Sequence, residues 1–202
     1  MRFRRAFGAG GPILMAAVMT AGVVAASAAT PPGAVPAAGQ KTVTATLITR
    51  APKTLARGTT VRPSALVGQR VFTDAGHGFA LASVGQAQYP AATINGGRTW
   101  QTNGPAIHLD AAQAPFAVVD IGAAGRRTVF AYGSGQVIDT TGDGGTHWYR
   151  ALFNGAPMAV VRNARGHLLA FVDGETGGAA TWQYVSKDGG RTWRHDTTVG
   201  GS

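Results

Sequence analysis

In 202 residues there is room for one ordinary domain or two small ones, and a charged fraction of 13% with 30 glycines and 10 prolines excludes a helical bundle or a coiled coil. A hydrophobic share of 45% supplies a core and excludes a charged disordered polymer, while glycine between short apolar runs points to an all-β chain. The formal charge is +9, from 18 Lys and Arg against 9 Asp and Glu, but beyond the first residues the cations are scattered singly apart from Arg126–Arg127, so no nucleic-acid partner is expected.

Met1–Gly11 holds Arg2, Arg4 and Arg5 and no acid, and Pro12–Ala29 is uncharged and ends in Ala26-Ser27-Ala28-Ala29. A positive start, an apolar middle and a small-residue exit predict a secretory signal peptide over residues 1–29, cut after Ala28 or Ala29. Left uncut, the same stretch is nearly long enough to anchor the chain in a membrane. Arg4-Arg5-Ala6-Phe7 resembles the core of a twin-arginine export signal, with Phe3 where Ser or Thr is usual. Residues 30–40, TPPGAVPAAGQ, read as a disordered tether, and residues 41–202 as the folded domain. The chain has no cysteine, so an exported domain must take its stability from packing, without disulfides, thiolate metal sites or a cysteine nucleophile.

Within the domain one octet recurs three times without gaps. The copies are Thr93-Ile-Asn-Gly-Gly-Arg-Thr-Trp100, Thr141-Gly-Asp-Gly-Gly-Thr-His-Trp148 and Ser186-Lys-Asp-Gly-Gly-Arg-Thr-Trp193. Gly97, Gly145 and Gly190 reach positive φ without steric cost, as a tight hairpin requires. The side-chain oxygens of Asn95, Asp143 and Asp188, and the hydroxyls of Thr93, Thr141 and Ser186, are placed to accept backbone N–H groups across the turn. Thr99 and Thr192 precede the tryptophans in the first and third copies, and His147 takes that place in the second. Trp100, Trp148 and Trp193 then open the next strand, where a large ring covers the hairpin.

The pattern Ser/Thr-x-Asp-x-Gly-x-Thr-Trp resembles the Asp-box, or bacterial neuraminidase repeat, of the sialidase and sortilin-like β-propellers. The resemblance covers about Arg70 to His195 and implies a turn between the third and fourth strands of each blade, away from the ligand face. Asn95 in place of Asp, and His147 in place of Thr, imply weaker caps in the first two copies. Short β-prone runs support the same architecture. They are Arg70–Asp74, His77–Ser83, Ala87–Thr93 and Thr99–Thr102, then Phe116–Ile121, Thr128–Tyr132, Gln136–Thr140 and His147–Phe153, then Met158–Arg162, His167–Val172, Thr181–Val185 and Thr192–His195. The fold expected is therefore all-β and β-propeller-like, with about three four-stranded blades. Propellers close with about 4–8 blades, so three leave a gap. Residues 41–68, with Thr42–Thr49 as one strand, add to a fourth blade; or two chains pair as a homodimer, joining half-rings; or the chain stays an open arc with exposed end faces.

Catalytic chemistry is sparse. Sialidases grip a carboxylate with an arginine cluster and use a Tyr–Glu pair and an acid/base Asp. Here Glu175 is the single glutamate, and Val61-Arg62-Pro63 resembles the sialidase Arg-Ile-Pro signature only faintly. Other glycosidases need two opposed carboxylates, and Asp173 and Glu175 stand at i, i+2, where a strand points both the same way, but Gly174 between them suggests a loop. Asp139-x-x-x-Asp143-Gly144 imitates a calcium loop until Arg150, which stands where the bidentate Glu belongs. His77, His108, His147, His167 and His195 lie far apart in sequence, and no metal or cofactor is expected. Trp182 and Tyr184 share one strand face, with Tyr89, Tyr132 and Tyr149 in comparable places; such rings either stack a ligand or, more commonly, fill the core between sheets. The functional expectation is an exported, non-catalytic binding or assembly module that contacts a protein or a cell-envelope polysaccharide. The alternative is a sialidase-like glycoside hydrolase with a reduced or lost active site, in which Glu175, Trp182 and Tyr184 are the binding candidates.

Overall fold

The structure, a computed structural model, describes residues 41–109, 120–174 and 181–196. The leader and tether, residues 116–119 of one expected strand, and Glu175 lie outside them. Fifteen strands are described: β1 (Thr42–Thr44), β2 (Thr46–Leu47), β3 (Thr60–Val61), β4 (Leu66–Phe72), β5 (Gly78–Val84), β6 (Ala87–Thr93), β7 (Trp100–Thr102), β8 (Asp120–Ala123), β9 (Val129–Tyr132), β10 (Val137–Thr141), β11 (Tyr149–Leu152), β12 (Pro157–Arg162), β13 (Leu168–Asp173), β14 (Thr181–Ser186) and β15 (Thr192–His195). Among the described residues the one helical piece is a 3-10 turn at Pro63–Ala65, where Pro63 supplies the fixed φ that such a start favours.

The strands form three antiparallel sheets, each a four-strand meander of consecutive strands: β4 to β7, β8 to β11 and β12 to β15. Turn glycines and Asn or Asp punctuate each meander, and β-branched and aromatic residues fill the runs between them. This is the blade pattern of a β-propeller, present as an arc of three blades. The first strands of the first and third blades carry register shifts, between Val67 and Arg70 and between Pro157 and Ala159. Gly68, at φ 67°, sits inside the first of them.

The N-terminal segment does not build a fourth blade. It adds a fifth strand to the outer edge of each existing blade, in reverse order: β1 on β15, β2 on β11 and β3 on β7. The single strand expected over Thr42–Thr49 is broken at Ala45, where the chain leaves the third sheet for the second. The Ala45 N–H still bonds to Arg191 O (2.9 Å), and the Ile48 N–H to Trp148 O (2.8 Å), so the crossing costs few backbone hydrogen bonds. The strap removes three of the unpaired outer edges that an open arc exposes.

Two core clusters lie between successive sheets. Phe79, Leu81, Ile107, Leu109, Ile121, Val129, Ala131 and Trp148 join the first sheet to the second. Phe130, Ile138, Ala151, Phe153, Leu168, Ala170, Val172, Tyr184 and Trp193 join the second to the third. Phe153 meets Tyr184 and Trp193 edge-on, at centroid distances of 5.0 and 5.8 Å, contacts worth about 0.5–1.5 kcal/mol each beyond burial. A third cluster, with Val61, Ala80, Ala82, Ala91 and Trp100 backed by Leu66, covers the centre of the first sheet's far face.

Candidate functional site

The three octets make the same turn. In the first, the Thr93 hydroxyl donates to Asn95 Oδ1 (2.9 Å) and accepts the Gly97 N–H (3.0 Å), while Asn95 Oδ1 accepts the Thr99 N–H (3.0 Å). Thr141, Asp143, Gly145 and His147 repeat this in the second, and Ser186, Asp188, Gly190 and Thr192 in the third. The two departures from the repeat do not loosen it. Asn95 Nδ2 donates to the Thr99 hydroxyl (2.8 Å), and His147 Nδ1, 2.6 Å from Asp143 Oδ2, makes the bond that a threonine hydroxyl makes elsewhere. Partial burial pushes the Asp143 carboxyl up, but the His147 N–H, its imidazole and the Thr141 hydroxyl overcome this and hold it at about 2. Burial also raises Asp188, and its bonds to Thr192 and Ser186 outweigh that and bring it below the usual carboxylate range. Trp100, Trp148 and Trp193 are buried, at 2%, 1% and 0% exposure.

These turns also join blades. A Cβ on Gly145 would stand 2.2 Å from Asn103 O of the first blade, and one on Gly190 would stand 2.2 Å from Thr140 Oγ1 of the second. Both glycines have positive φ, 93° and 92°, so backbone conformation and close approach demand glycine together. The cleft between the second and third turns, about 340 Å³, is lined by Arg127, Asp143, Asp188 and Arg191. Its two carboxylates are already engaged by their own turns. Asp139, the start of the apparent calcium loop, is fully buried on β10 and held by Arg150 through two bonds of 2.8 and 2.7 Å. Burial pushes its carboxyl up against the pull of that guanidinium. Among the described residues no three His, Asp or Glu side chains gather as metal ligands.

Tyr184 and Trp182 do share a strand face, but that face looks toward the second sheet. Tyr184 is fully buried there, and Trp182 packs half-buried at the edge of the same cluster. Tyr89 is also buried, its hydroxyl accepting the Leu55 N–H at 3.2 Å. These rings fill space between structural elements, so an aromatic platform for a ligand does not form on them.

Among the described residues no sheet covers the opposite face of the third sheet. Register places Val161, Leu169, Val185 and Arg194 in one row across β12, β13, β14 and β15. Val161 is 44% exposed, and a groove of about 720 Å³ lies over Leu169 and Val185. Its walls are Asn163, Arg165, His167, Gln183, Lys187 and Arg194. At the other end of the arc, the first sheet's outer face holds buried Ala80, Ala82 and Ala91 beneath Val61 and Leu66, with Phe72 and Val84 exposed at its rim. The two ends of the arc therefore differ. Of the groove's residues, Asp188 and Thr192 stood out in the sequence only as parts of a turn and His167 and His195 only as scattered histidines, while Leu169 and Val185 carry no chemical signature.

No family model and no curated protein matches the sequence. Among solved structures the chain is similar to "YCF48 bound to D1 peptide", at 20% identity and a TM-score of 0.44, over 68% of this chain and 43% of that one. It is also similar to YCF48 from Cyanidioschyzon merolae, at 19% identity and a TM-score of 0.44, over 69% of this chain and 40% of that one. The chain thus spans less than half the length of the YCF48 chains it matches.

Proposed function

We propose that this protein is an exported, non-catalytic binding module that docks a partner protein on the open face of its third blade, and that its octets belong to the Asp-box class of propeller turns. One observation carries the reading. Strand β13 runs Leu168-Leu169-Ala170-Phe171-Val172, apolar on both faces in the way of a strand sandwiched between layers, yet a neighbouring sheet covers only the face with Leu168, Ala170 and Val172. Leu169, with Val161 and Val185 beside it, awaits a second layer. An apolar surface inside a polar rim is the usual form of a protein-docking site. The groove's aliphatic floor, Leu169 and Val185, suits a protein better than a polysaccharide, since Tyr184 and Trp182 are turned toward the second sheet. The leader over residues 1–29 supplies the expected route out of the cytoplasm.

Two measurements test this. The chain is incubated with a fluorogenic sialoside and a panel of aryl glycosides, with no turnover expected; turnover abolished by Glu175→Ala would establish the hydrolase alternative instead. It is also sedimented with insoluble cell-envelope polysaccharide, where it is expected to stay in the supernatant. Co-sedimentation lost in Trp182→Ala would move the site from the groove to that ring and the partner from protein to glycan.

A further inference from the structure

We infer that the groove on the third blade takes an acidic, apolar segment of its partner, with apolar side chains over Leu169 and Val185 and carboxylates at Arg165, Lys187 and Arg194. This rests on the docking reading above and adds the chemistry of the partner. The three cations are exposed around the groove, and among the described residues none of their side chains makes an ion pair or a hydrogen bond. Arg126, Arg150 and Arg57 are engaged, with Asp74, with Asp139, and with Asn103 and Gly144; other cations such as Arg70 and Arg98 are exposed without partners, and what sets these three apart is that they gather around one apolar floor. Asp188 and Asp196 also line the groove, one capping its own turn and the other holding the Gln183 amide, and their charges leave the three cations with an excess of one positive charge there. A surface that keeps like charges together without partners pays repulsion, which an anionic guest relieves.

Outside the described residues, 1–40 and 197–202 contain no Asp or Glu, and residues 110–119 and 175–180 carry one acid each, Asp110 and Glu175, too few to match three cations. A second copy is a poor match as well. It carries a net +9, and Asp74, Asp139, Asp143 and Asp188 of its nine acids are tied to internal partners. A bare polyanion meets the cations but leaves Leu169, Val185 and Val161 uncovered, whereas a peptide alternating acidic and apolar side chains meets both.

The test is fluorescence anisotropy of the full chain with short labelled peptides of alternating Glu and Leu, Gln and Leu, or Lys and Leu, and with inorganic polyphosphate as the polyanion. The Glu–Leu peptide is expected to bind at least about tenfold more tightly than the others and to weaken as salt rises, since exposed charges are screened over about 10 Å at 0.1 M. The double variant Lys187→Glu with Arg194→Glu should reverse the order of the Glu–Leu and Lys–Leu peptides. Leu169→Ser should weaken both, and Arg98→Glu, on the first turn, should change neither. If the Gln–Leu peptide binds as tightly as the Glu–Leu peptide and Leu169→Ser weakens both, the face still docks protein and the preference for acids is wrong. Tightest binding by polyphosphate makes the face a polyanion site and overturns the inference. If no peptide binds, the inference and the docking reading fall together.

Discussion

The indole N–H of Trp148 donates to the backbone oxygen of Asn103, 2.8 Å away on the neighbouring blade, whereas Trp100 and Trp193 donate to Gly97 O and Gly190 O of their own turns. The same ring in the same octet therefore closes a hairpin in the first and third blades and ties the second blade to the first. Asn103 is held from several sides, its N–H on Pro90 O at 2.7 Å and its side chain on Arg57. Gly145 rests directly against it.

That close approach is separable from backbone strain. Gly145→Ala places a methyl against Asn103, whereas Gly125→Ala, also at positive φ, meets nothing within 4 Å. Both variants carry the conformational cost of a side chain in that region, so the difference between them isolates the contact. Gly145→Ala should lose about 1–3 kcal/mol more in urea denaturation, the usual cost of overpacking. Equal losses would mean that the second turn is not seated on the first blade.

Trp193→Ala should be the costlier of two tryptophan deletions. Trp193 has no exposed surface and packs edge-on with Phe153, so its loss leaves a cavity and should cost about 3–5 kcal/mol. Trp182 sits at the edge of the same cluster, partly in solvent, and water can fill the space it vacates. Denaturation midpoints compare the two directly, and a larger loss for Trp182→Ala would contradict the buried-plug role of the octet tryptophan.

The octets were legible in the sequence because their chemistry is local: the oxygen that caps each turn lies within four residues of the N–H it accepts. The strap was not legible in this way. Alternation over Thr42–Thr49 predicts a strand, but which sheet edge receives a strand of two or three residues depends on where those edges lie in space. The blade fillings escaped for a related reason. One cross-strand position is Ala91 opposite Thr102 in the first blade, Asp139 opposite Arg150 in the second and Tyr184 opposite His195 in the third. In sequence, Arg150 merely disqualified a calcium loop that Asp139 began; in the fold it is Asp139's partner. The open groove was hidden by the doubly apolar run of β13, which reads as a strand buried on both faces.

The Asp139–Arg150 pair invites a double-mutant test. Arg150→Met should cost about 3–5 kcal/mol, because it strands a buried carboxylate without its guanidinium. Adding Asp139→Leu should recover most of that loss, since an apolar pair of similar volume needs no desolvation. The guanidinium also donates to His108 O at 3.0 Å, so the recovery should fall short of complete. A double variant as unstable as Arg150→Met alone would mean that Arg150 acts through packing and not through its charge.

Acid sensitivity should trace to the turn carboxylates. Asp143 is held at about 2 and Asp188 is lowered too. The Asp74 carboxyl is lowered as well, by the His77 imidazole first and then by the Gly76 and His77 N–H groups and Arg126. A carboxyl whose folded pKa lies below its unfolded value near 4 stabilises the fold fully above that value, and this contribution drains away as pH falls through the folded pKa. For Asp143 the window is therefore about pH 4 down to 2. Asn95 shows that an amide can serve the same turn, accepting the Thr99 N–H as Asp143 accepts that of His147. Asp143→Asn should thus fold, should lose a little stability at neutral pH with the contact to the His147 imidazole, and should fall less steeply than the native chain between pH 4 and 2. Comparing urea midpoints of the two proteins across that range cancels what Asp74, Asp139 and Asp188 contribute to both. Parallel curves would show that the Asp143 carboxylate is no better held in the folded chain than in the unfolded one.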